Sequence, residues 1–245
     1  MGVKTADRTL DLLELFSREQ RPMSLSELAE QMGIPGSSAH GLVKTLQSRG
    51  YLYEINRKQG YFPTKKLSVM AGSITRAMPL LDRLEPYLSQ LRDDTEETVV
   101  LAKQQGDLVV YLDVLEPNQG VRFSPNTGEL KHLHSTASGK AILASMPEHV
   151  REKFLSRIPL ERCTPNTITE VERLRQAIEV GRERGWCDIE GENIPDLMAI
   201  AAPVTINDET FVIVIGGPIQ RFKPRMNEHA SKLLAVCNAI KEQEA

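Results

Sequence analysis

Two short amphipathic helices joined by a tight turn are encoded between Ser24 and Gly50, and this pattern constrains the fold most strongly. Ser24 and Glu27 have the spacing of a capping box, and apolar residues then recur at helical intervals. Gly33 ends the first helix, and Pro35 lies near the first turn of the second, which Gly50 ends. Two helices connected in this way are typical of a helix-turn-helix.

A β-hairpin with a basic tip follows these helices. Aromatic and apolar residues at 51–55 and 61–63 predict two short strands, separated by the sequence Asn-Arg-Lys-Gln-Gly. A further amphipathic helix is predicted over 5–18, before the two helices of the helix-turn-helix. Three helices followed by a basic hairpin indicate a winged helix-turn-helix domain over residues 1–63.

The charges of the chain are divided unequally along its length. The 245 residues carry a net charge of −3. Residues 1–78 hold 11 lysines and arginines against 7 acidic residues, a net of +4, and residues 79–245 hold 19 against 26, a net of −7. The stretch from Pro35 to Arg76 contains seven basic residues and only one acidic residue, Glu54. We expect the basic front half to bind double-stranded DNA.

Polar side chains near the start of the second helix are suited to base edges and phosphates, and the cations of the hairpin tip are suited to phosphates. The candidate DNA-binding residues are Ser37, Ser38, His40, Lys44, Thr45, Arg57 and Lys58. A winged helix that contacts protein instead is the alternative.

Residues 64–78 predict a connecting helix with one apolar face. Its apolar residues recur every three or four positions, and an isolated helix of this length leaves such a face exposed to water. The face is expected to pack on a second copy or on the DNA-binding domain, and an ordinary interdomain helix is the other interpretation. The residues of the face are Leu67, Met70, Ala71, Ile74 and Met78.

The remainder, residues 79–245, alternates strands and helices in the manner of an α+β domain. Strands are predicted at 98–103, 108–116, 121–124, 198–206 and 210–216, with a tight turn at Asn207-Asp208-Glu209. Helices are predicted at 80–92, 136–145, 148–157, 171–185 and 224–243.

One segment of this domain, Leu133–Ala141, is rich in small residues and opens a helix. Ser135 or Thr136 can cap that helix. Free N–H groups at a helix start attract anions, so the N–H groups of Ala137 and Ser138 are candidates to hold a carboxylate. A capped helix buried without a ligand is the alternative.

Both halves resemble the IclR family of bacterial transcriptional regulators. The front half carries SLSELAEQMGIPGSSAHGLVKTLQSRGYL, and the back half carries LHSTASGKA, GWCDIEGE and MAIAAPV, ending at Gly-Gly-Pro. The resemblance implies a GAF-like effector-binding domain over 79–245, dimerisation through the 64–78 helix with a homodimer or tetramer as the assembly, and a palindromic operator. It implies a ligand-responsive regulator, more often a repressor, of a catabolic operon.

The resemblance also implies which residues line the effector cavity. They are Thr136, Ala137, Ser138, Gly139, Ile189, Glu190, Met198, Ala199, Val214 and Gly216. Relatives often have a polar residue at the positions of Ala199 and Gly216, which suggests a roomier, more apolar cavity here, suited to an aromatic or branched acid. Many relatives also have arginine where Gly41 stands, so their operator sequences do not transfer to this chain.

Enzymatic, metal and membrane functions have weaker support. His132 and His134 are two apart without a third metal ligand at a recognisable spacing, and Cys187 beside Asp188 has only the distant His134 or His229 as a partner for hydrolysis. We therefore expect no metal, no cofactor and no catalysis. A GAF-like binding or hydrolytic protein whose winged helix contacts protein is the alternative function. The absence of an apolar span or signal sequence and the three scattered cysteines predict a cytoplasmic protein.

Overall fold

The computed structural model describes residues 2–56, 58–77 and 79–244, and the chain divides into a front unit, Met1–Pro79, and a back unit, Leu80–Ala245. The predicted Arg57 and Met78 lie outside the described residues. The elements of the front unit are α1 (Lys4–Glu19), α2 (Leu25–Gln31), α3 (Gly36–Ser48), β1 (Leu52–Asn56), β2 (Gly60–Pro63) and α4 (Lys66–Arg76).

The front unit is the predicted winged helix-turn-helix. The capping box at the start of α2 is present, since the Ser24 hydroxyl accepts from the Glu27 N–H and the Glu27 carboxylate accepts from the Ser24 N–H. Apolar side chains of α1, α2 and α3 form one core with Leu52 of the hairpin. Met23 pairs with Tyr61, which attaches the hairpin to the segment that precedes α2. The helix predicted as a linker, α4, falls within this unit.

The back unit is built on one antiparallel sheet with helices on both faces, in the order β5-β4-β3-β8-β7-β6. Its strands are β3 (Thr98–Gln105), β4 (Leu108–Leu115), β5 (Leu130–His132), β6 (Cys187–Glu190), β7 (Leu197–Ile206) and β8 (Glu209–Pro218). Its helices are α5 (Pro79–Thr95), α6 (Ala137–Ser145), α7 (Glu148–Leu155), α8 (Val171–Arg184), α9 (Ile219–Phe222) and α10 (Met226–Glu244). The predicted α+β class is confirmed.

Two cores lie on opposite faces of this sheet. Alternate residues of a strand point to opposite faces, so Val99 belongs to the core shared with α5 and α10, and Val100 belongs to the core shared with α6 and α8. This double burial explains why β3 begins as an unbroken buried run. The turn between β7 and β8 is formed by Asn207 and Asp208, both at positive φ, as the sequence predicts.

One strand prediction fails at the rim of the sheet, and two short edge strands were not predicted. Residues 121–124 form no strand, because the carboxylate of Glu116 binds Arg122 and Ser124 where a strand would need a neighbouring ladder. The edge strands β5 and β6 were not predicted. β5 has only three residues and β6 has the half-polar sequence Cys-Asp-Ile-Glu, so neither shows a clear alternation of polar and apolar residues.

The last helix begins at Met226 instead of Pro224, after a 3₁₀ turn over Lys223–Arg225.

Within the described ranges, no helix is long and apolar enough to cross a membrane.

Replacing Gly41 with alanine should stabilise the front unit. Gly41 lies in the exposed middle of α3, and a Cβ there would meet nothing within 4 Å. The variant should raise the free energy of unfolding by about 0.5–1 kcal/mol in a denaturant titration. Gly60→Ala is the matched control and should destabilise, because Gly60 has φ +82 and its Cβ would stand 2.1 Å from the Met23 carbonyl oxygen. A destabilised Gly41→Ala would contradict this account of α3.

His229 should make the back unit less stable in acid. The ring is fully buried on α10 against Phe222, neither nitrogen has a hydrogen-bond partner among the described residues, and burial lowers its pKa to about 4. In the unfolded chain the His229 ring is protonated below about pH 6.5, whereas in the folded chain it stays neutral until about pH 4. The free energy of unfolding therefore falls as the pH drops from 6.5 towards 4. The contribution is roughly 2 kcal/mol between pH 7 and pH 5.

His229→Leu removes this contribution and should flatten the acid limb of the stability curve, measured by urea unfolding at both pH values. His149→Gln, at an exposed site on α7, should leave the wild-type slope. Equal slopes for wild type and His229→Leu would show that the buried ring does not control this pH range.

Candidate nucleic-acid interface and ligand cavity

One face of α3 is polar and exposed. Ser37, His40, Lys44 and Thr45 are exposed and Ser38 is half-buried, whereas the opposite face of the helix enters the core. No hydrogen bond or ion pair joins the side chains of Ser37, His40 or Lys44 to another described residue. The sequence-predicted residues of α3 therefore share one open surface, whose side chains are free to meet base edges and phosphates.

Gly41 leaves a gap in the middle of this surface. No heavy atom would approach a Cβ at this position within 4 Å, and the Gly41 carbonyl oxygen accepts a hydrogen bond of 2.8 Å from the Thr45 hydroxyl. At this point α3 therefore presents backbone, with no side chain between the exposed residues on either side.

The tip of the hairpin is shaped by Asn56. Its side-chain oxygen accepts from the N–H groups of Lys58 at 3.0 Å and Gln59 at 2.8 Å, which closes a tight turn. Lys58 is exposed on this turn. Gly60 ends the turn where the chain passes against the Met23 backbone, so only glycine fits there.

A small cavity in the back unit lies at the start of α6. The volume is about 10 Å³, which is room for a single water molecule. Six of the predicted effector residues meet here, together with four residues that were not predicted. The lining residues are Tyr111, Phe123, Thr136, Ala137, Ser138, Ile189, Asn193, Leu197, Ala199 and Val214.

The first turn of α6 presents backbone donors to this cavity. The Thr136 hydroxyl accepts from the Gly139 N–H at 3.1 Å and donates to the His132 carbonyl at 2.9 Å, which caps the helix. The N–H groups of Ala137 and Ser138 form no hydrogen bond with any described residue, so they are available to an anion.

Gly139 lies on the other side of the same turn and does not line the cavity. A Cβ at Gly139 would stand 2.1 Å from the Leu133 carbonyl oxygen. The glycine is therefore needed to bring the start of α6 against the chain that precedes it. This close packing accounts for the glycine, and its role in effector binding stays a prediction.

Met198 and Glu190 also lie away from the cavity. Met198 points to the opposite face of the sheet and packs in the core with α5 and α10, because its neighbour Ala199 faces the cavity. Glu190 is exposed and pairs with Lys223 at 2.6 Å. Because neighbouring residues of a strand face opposite ways, Met198 and Ala199 cannot both line this cavity, and effector binding by Met198 or Glu190 stays a prediction.

The space left by Gly216 is occupied by an aromatic ring. A Cβ at Gly216 would lie 3.0 Å from Cδ1 of Phe123 and 3.5 Å from Cβ of Ala199. The small residues at 199 and 216 therefore do not leave a roomy cavity, contrary to the expectation from sequence, because Phe123 fills it. An unpaired segment that lies far away in sequence supplies this ring, so no local pattern predicts it.

Two unpredicted residues add polar groups to the apolar lining. The Tyr111 phenol is buried, which raises its pKa to about 12, and the Ser138 hydroxyl lies against it and partly opposes the rise. The Asn193 amide donates to the Ser135 hydroxyl at 3.2 Å. Tyr111 is visible in the sequence only as one aromatic residue in an apolar strand, and Asn193 only as a polar loop residue.

A buried ion pair lies beside the cavity. Lys140 of α6 donates to the Glu192 carboxylate at 2.5 Å and to the Asp188 carbonyl at 3.2 Å, and both charged side chains are at least nine-tenths buried. Burial raises the pKa of Glu192, and Lys140 opposes this rise. The pair joins α6 to β6 and to the loop that carries Asn193.

The residues weighed for metal binding and hydrolysis do not form such sites. The His132 and His134 rings are 5.5 Å apart and both lie near Glu161, but no three potential ligands cluster in the described ranges. Cys187 is buried against Gly181, and burial raises its pKa to about 12, which disfavours the thiolate.

Comparisons with known proteins cover almost the whole chain. The model of the IclR helix-turn-helix domain matches residues 5–55, and the model of the bacterial transcriptional regulator IclR C-terminal domain matches residues 72–242. The transcriptional repressor IclR of Escherichia coli K12 is 29% identical over 244 residues, which span 97% of this chain and 89% of that protein.

Two solved structures share the fold. The IclR protein of Thermotoga maritima superposes with a TM-score of 0.83 at 27% identity and 98% coverage of both chains. An IclR homologue of Microbacterium hydrocarbonoxydans in complex with 4-hydroxybenzoate superposes with a TM-score of 0.76 at 22% identity, covering 97% of this chain and 98% of that one.

Proposed function

The chain belongs to the IclR family of bacterial transcriptional regulators, and from this premise we propose that it represses a catabolic operon and responds to a small organic acid. The front unit binds DNA and the back unit binds an effector, as in its family. The observation that carries the proposal is that the same chain has an exposed polar face on α3 in its front unit and a cavity at the start of α6 in its back unit.

On the DNA, α3 enters the major groove and the hairpin tip contacts phosphates. Ser37, His40 and Thr45 approach base edges, while Lys44 and Lys58 neutralise phosphates. Arg57, which precedes Lys58 in the sequence, is assigned the same role from that position alone. The absence of a cation at Gly41 gives this protein an operator of its own.

The protein acts as a homodimer, or a tetramer of two dimers, on a palindromic operator. The exposed face of α4 supports this assembly, since Met70 is 40% and Ile74 is 64% exposed on a short helix. Leu67 and Ala71 extend the same apolar face. A second copy that packs on this face would bury it and place two α3 helices about one helical turn of DNA apart.

The effector is a carboxylate with an apolar body, an aromatic acid above all. The free N–H groups at the start of α6 suit the carboxylate, and the described lining residues include no cation that would bind it instead. The lining residues Phe123, Ile189 and Val214 suit an apolar body. The 4-hydroxybenzoate complex of the Microbacterium homologue makes that acid the first probe to use.

The response arises because the effector binds the two DNA-related arrangements of the protein with different affinity. A ring-sized ligand needs more than the 10 Å³ now free, so the Phe123 ring has to move when the ligand enters. The protein performs no catalysis in this scheme and works in the cytoplasm, where the DNA lies.

Removal of the hairpin-tip cations should weaken DNA binding at every sequence. Arg57→Ala combined with Lys58→Ala removes phosphate contacts, so the slope of log K against log salt should flatten by roughly 0.9 for each lost contact. Fluorescence anisotropy on operator and random duplexes, across salt concentrations, gives both quantities. Lys153→Ala, an exposed lysine of the back unit, should keep the wild-type slope. An unchanged slope in the double variant would mean that the hairpin does not touch DNA.

Ser138→Leu should separate DNA binding from the response. The larger side chain fills a cavity with room for one water and covers the first N–H groups of α6. Operator affinity should stay within about twofold of wild type, while the shift caused by 4-hydroxybenzoate disappears, both measured by anisotropy. Ser145→Leu, an exposed site at the other end of α6, should retain the response. If Ser138→Leu still responds as wild type does, the effector binds elsewhere.

A further inference from the structure

The outer wall of the cavity is an irregular segment, residues 116–129, that lies between two spaces. Phe123 lines the small cavity on one side and a surface groove of about 360 Å³ on the other. Leu197 is the second residue shared by both spaces. Displacement of the Phe123 ring would therefore join the groove to the cavity, which makes this wall a route between the cavity and solvent.

The middle of this wall, residues 121–124, contributes little apolar burial, although Pro117 and Pro125 on either side of it are buried. Val121 is 72% exposed, Arg122 and Ser124 are also exposed, and Phe123 is half-buried. Residues 121–124 have no strand partner. Between the two buried prolines, their position depends on the packing of the Phe123 ring against the core and on a small number of hydrogen bonds to the rest of the unit.

Two hydrogen bonds tie this stretch to the body of the back unit. Arg221 donates through Nη1 to the Val121 carbonyl oxygen at 3.1 Å, and the Thr98 hydroxyl donates to the Phe123 carbonyl oxygen. The other bonds that residues 121–124 form with described residues stay within the segment, to Glu116 and Gln119.

Arg221 is itself fixed by a bidentate ion pair. Its Nε and Nη2 atoms donate to the two carboxylate oxygens of Glu97, each at 2.7 Å, and the Glu97 side chain is 1% exposed. This fork geometry orients the guanidinium, which leaves Nη1 to reach Val121. The pair Glu97–Arg221 is called the clamp below.

The two glycines at the end of β8 make room for the wall and for the clamp. A Cβ at Gly216 would press on the Phe123 ring at 3.0 Å, and a Cβ at Gly217 would overlap the Glu97 carboxylate at 2.1 Å. Neighbouring residues of a strand face opposite ways. The Gly-Gly pair therefore accommodates the wall on one face of the sheet and the clamp on the other.

We infer that Glu97 and Arg221 are positioning residues that hold Phe123 as the outer wall of the cavity and so limit how fast molecules enter it. The inference rests on the proposed function only for the identity of those molecules as effectors. Its chemistry is a charge-assisted hydrogen-bond chain from a buried carboxylate, through a guanidinium, to the backbone of the wall.

A thiol placed inside the cavity tests this inference in the full-length protein. Ala199→Cys puts a thiol on the lining, and Cys163→Ser removes the exposed native cysteine. The reaction of methyl methanethiosulfonate with position 199 is followed by peptide mass spectrometry. Cys237 is buried in the core on the opposite face of the sheet, so its reaction rate reports global unfolding in the same molecules.

In this background, Arg221→Lys, Glu97→Gln and Thr98→Val should each accelerate labelling of position 199 by roughly tenfold or more, while Cys237 keeps its rate. Arg225→Lys is the matched control, because Arg225 pairs with Glu228 and makes no hydrogen bond to the wall. It should change neither rate. Glu97→Gln keeps the side-chain volume and removes the charge, so it decides the matter if Arg221→Lys does not fold.

Parental labelling rates at position 199 in the folded clamp variants would overturn the inference. Equal acceleration at positions 199 and 237 would also overturn it, because that result identifies a merely structural role. The assay contains neither effector nor DNA, so it gives its answer whether or not the proposed ligand class is right.

Discussion

The buried ion pair between Lys140 and Glu192 holds the ligand cavity together. An unpaired charge at such a depth costs several kcal/mol, so α6 cannot separate from the loop that carries Glu192 without losing much of the unit's stability. The same ammonium group also binds the backbone of β6 at Asp188. Three parts of the unit that contribute to the lining, namely α6, β6 and the loop with Asn193, are thus tied together at one nitrogen.

The wall that carries Phe123 is held differently. Residues 121–124 have no strand partner and are mostly exposed, and between the buried Pro117 and Pro125 they are tied to the unit by the Phe123 ring and by hydrogen bonds to Thr98 and Arg221. Walls fixed by the ion pair on one side and a wall tied by few hydrogen bonds on the other are what we expect of a site that must admit a ligand. In the proposed function, the fixed walls hold the N–H groups that donate to a carboxylate, and the wall that carries Phe123 provides the passage.

The sequence predicts those features of this molecule that depend on neighbouring residues. It does not predict the features that depend on contacts between residues far apart in the chain. The capping box at Ser24, the glycines that end helices and the small residues before α6 act within a few positions, so the winged helix and the helix start at Thr136 are predictable. The Phe123 ring over Gly216 depends on a contact across 93 positions, which no periodicity encodes. Met198 and Ala199 show a third case, where the residues are close but the strand register decides which one faces the cavity.

The central claim is that a carboxylate bound at the start of α6 changes the affinity of the front unit for DNA. The most direct measurement is the dissociation constant of the full chain for an operator that the protein itself selects from random DNA, with and without small molecules. The account predicts that 4-hydroxybenzoate changes this constant by at least several-fold, because typical coupling energies are about 1–3 kcal/mol, and that 4-hydroxybenzyl alcohol, which has the same ring without the carboxylate, does not. An equal effect of the alcohol, a preference for glyoxylate over all larger acids, or no effect of any carboxylate in a broad panel would contradict it.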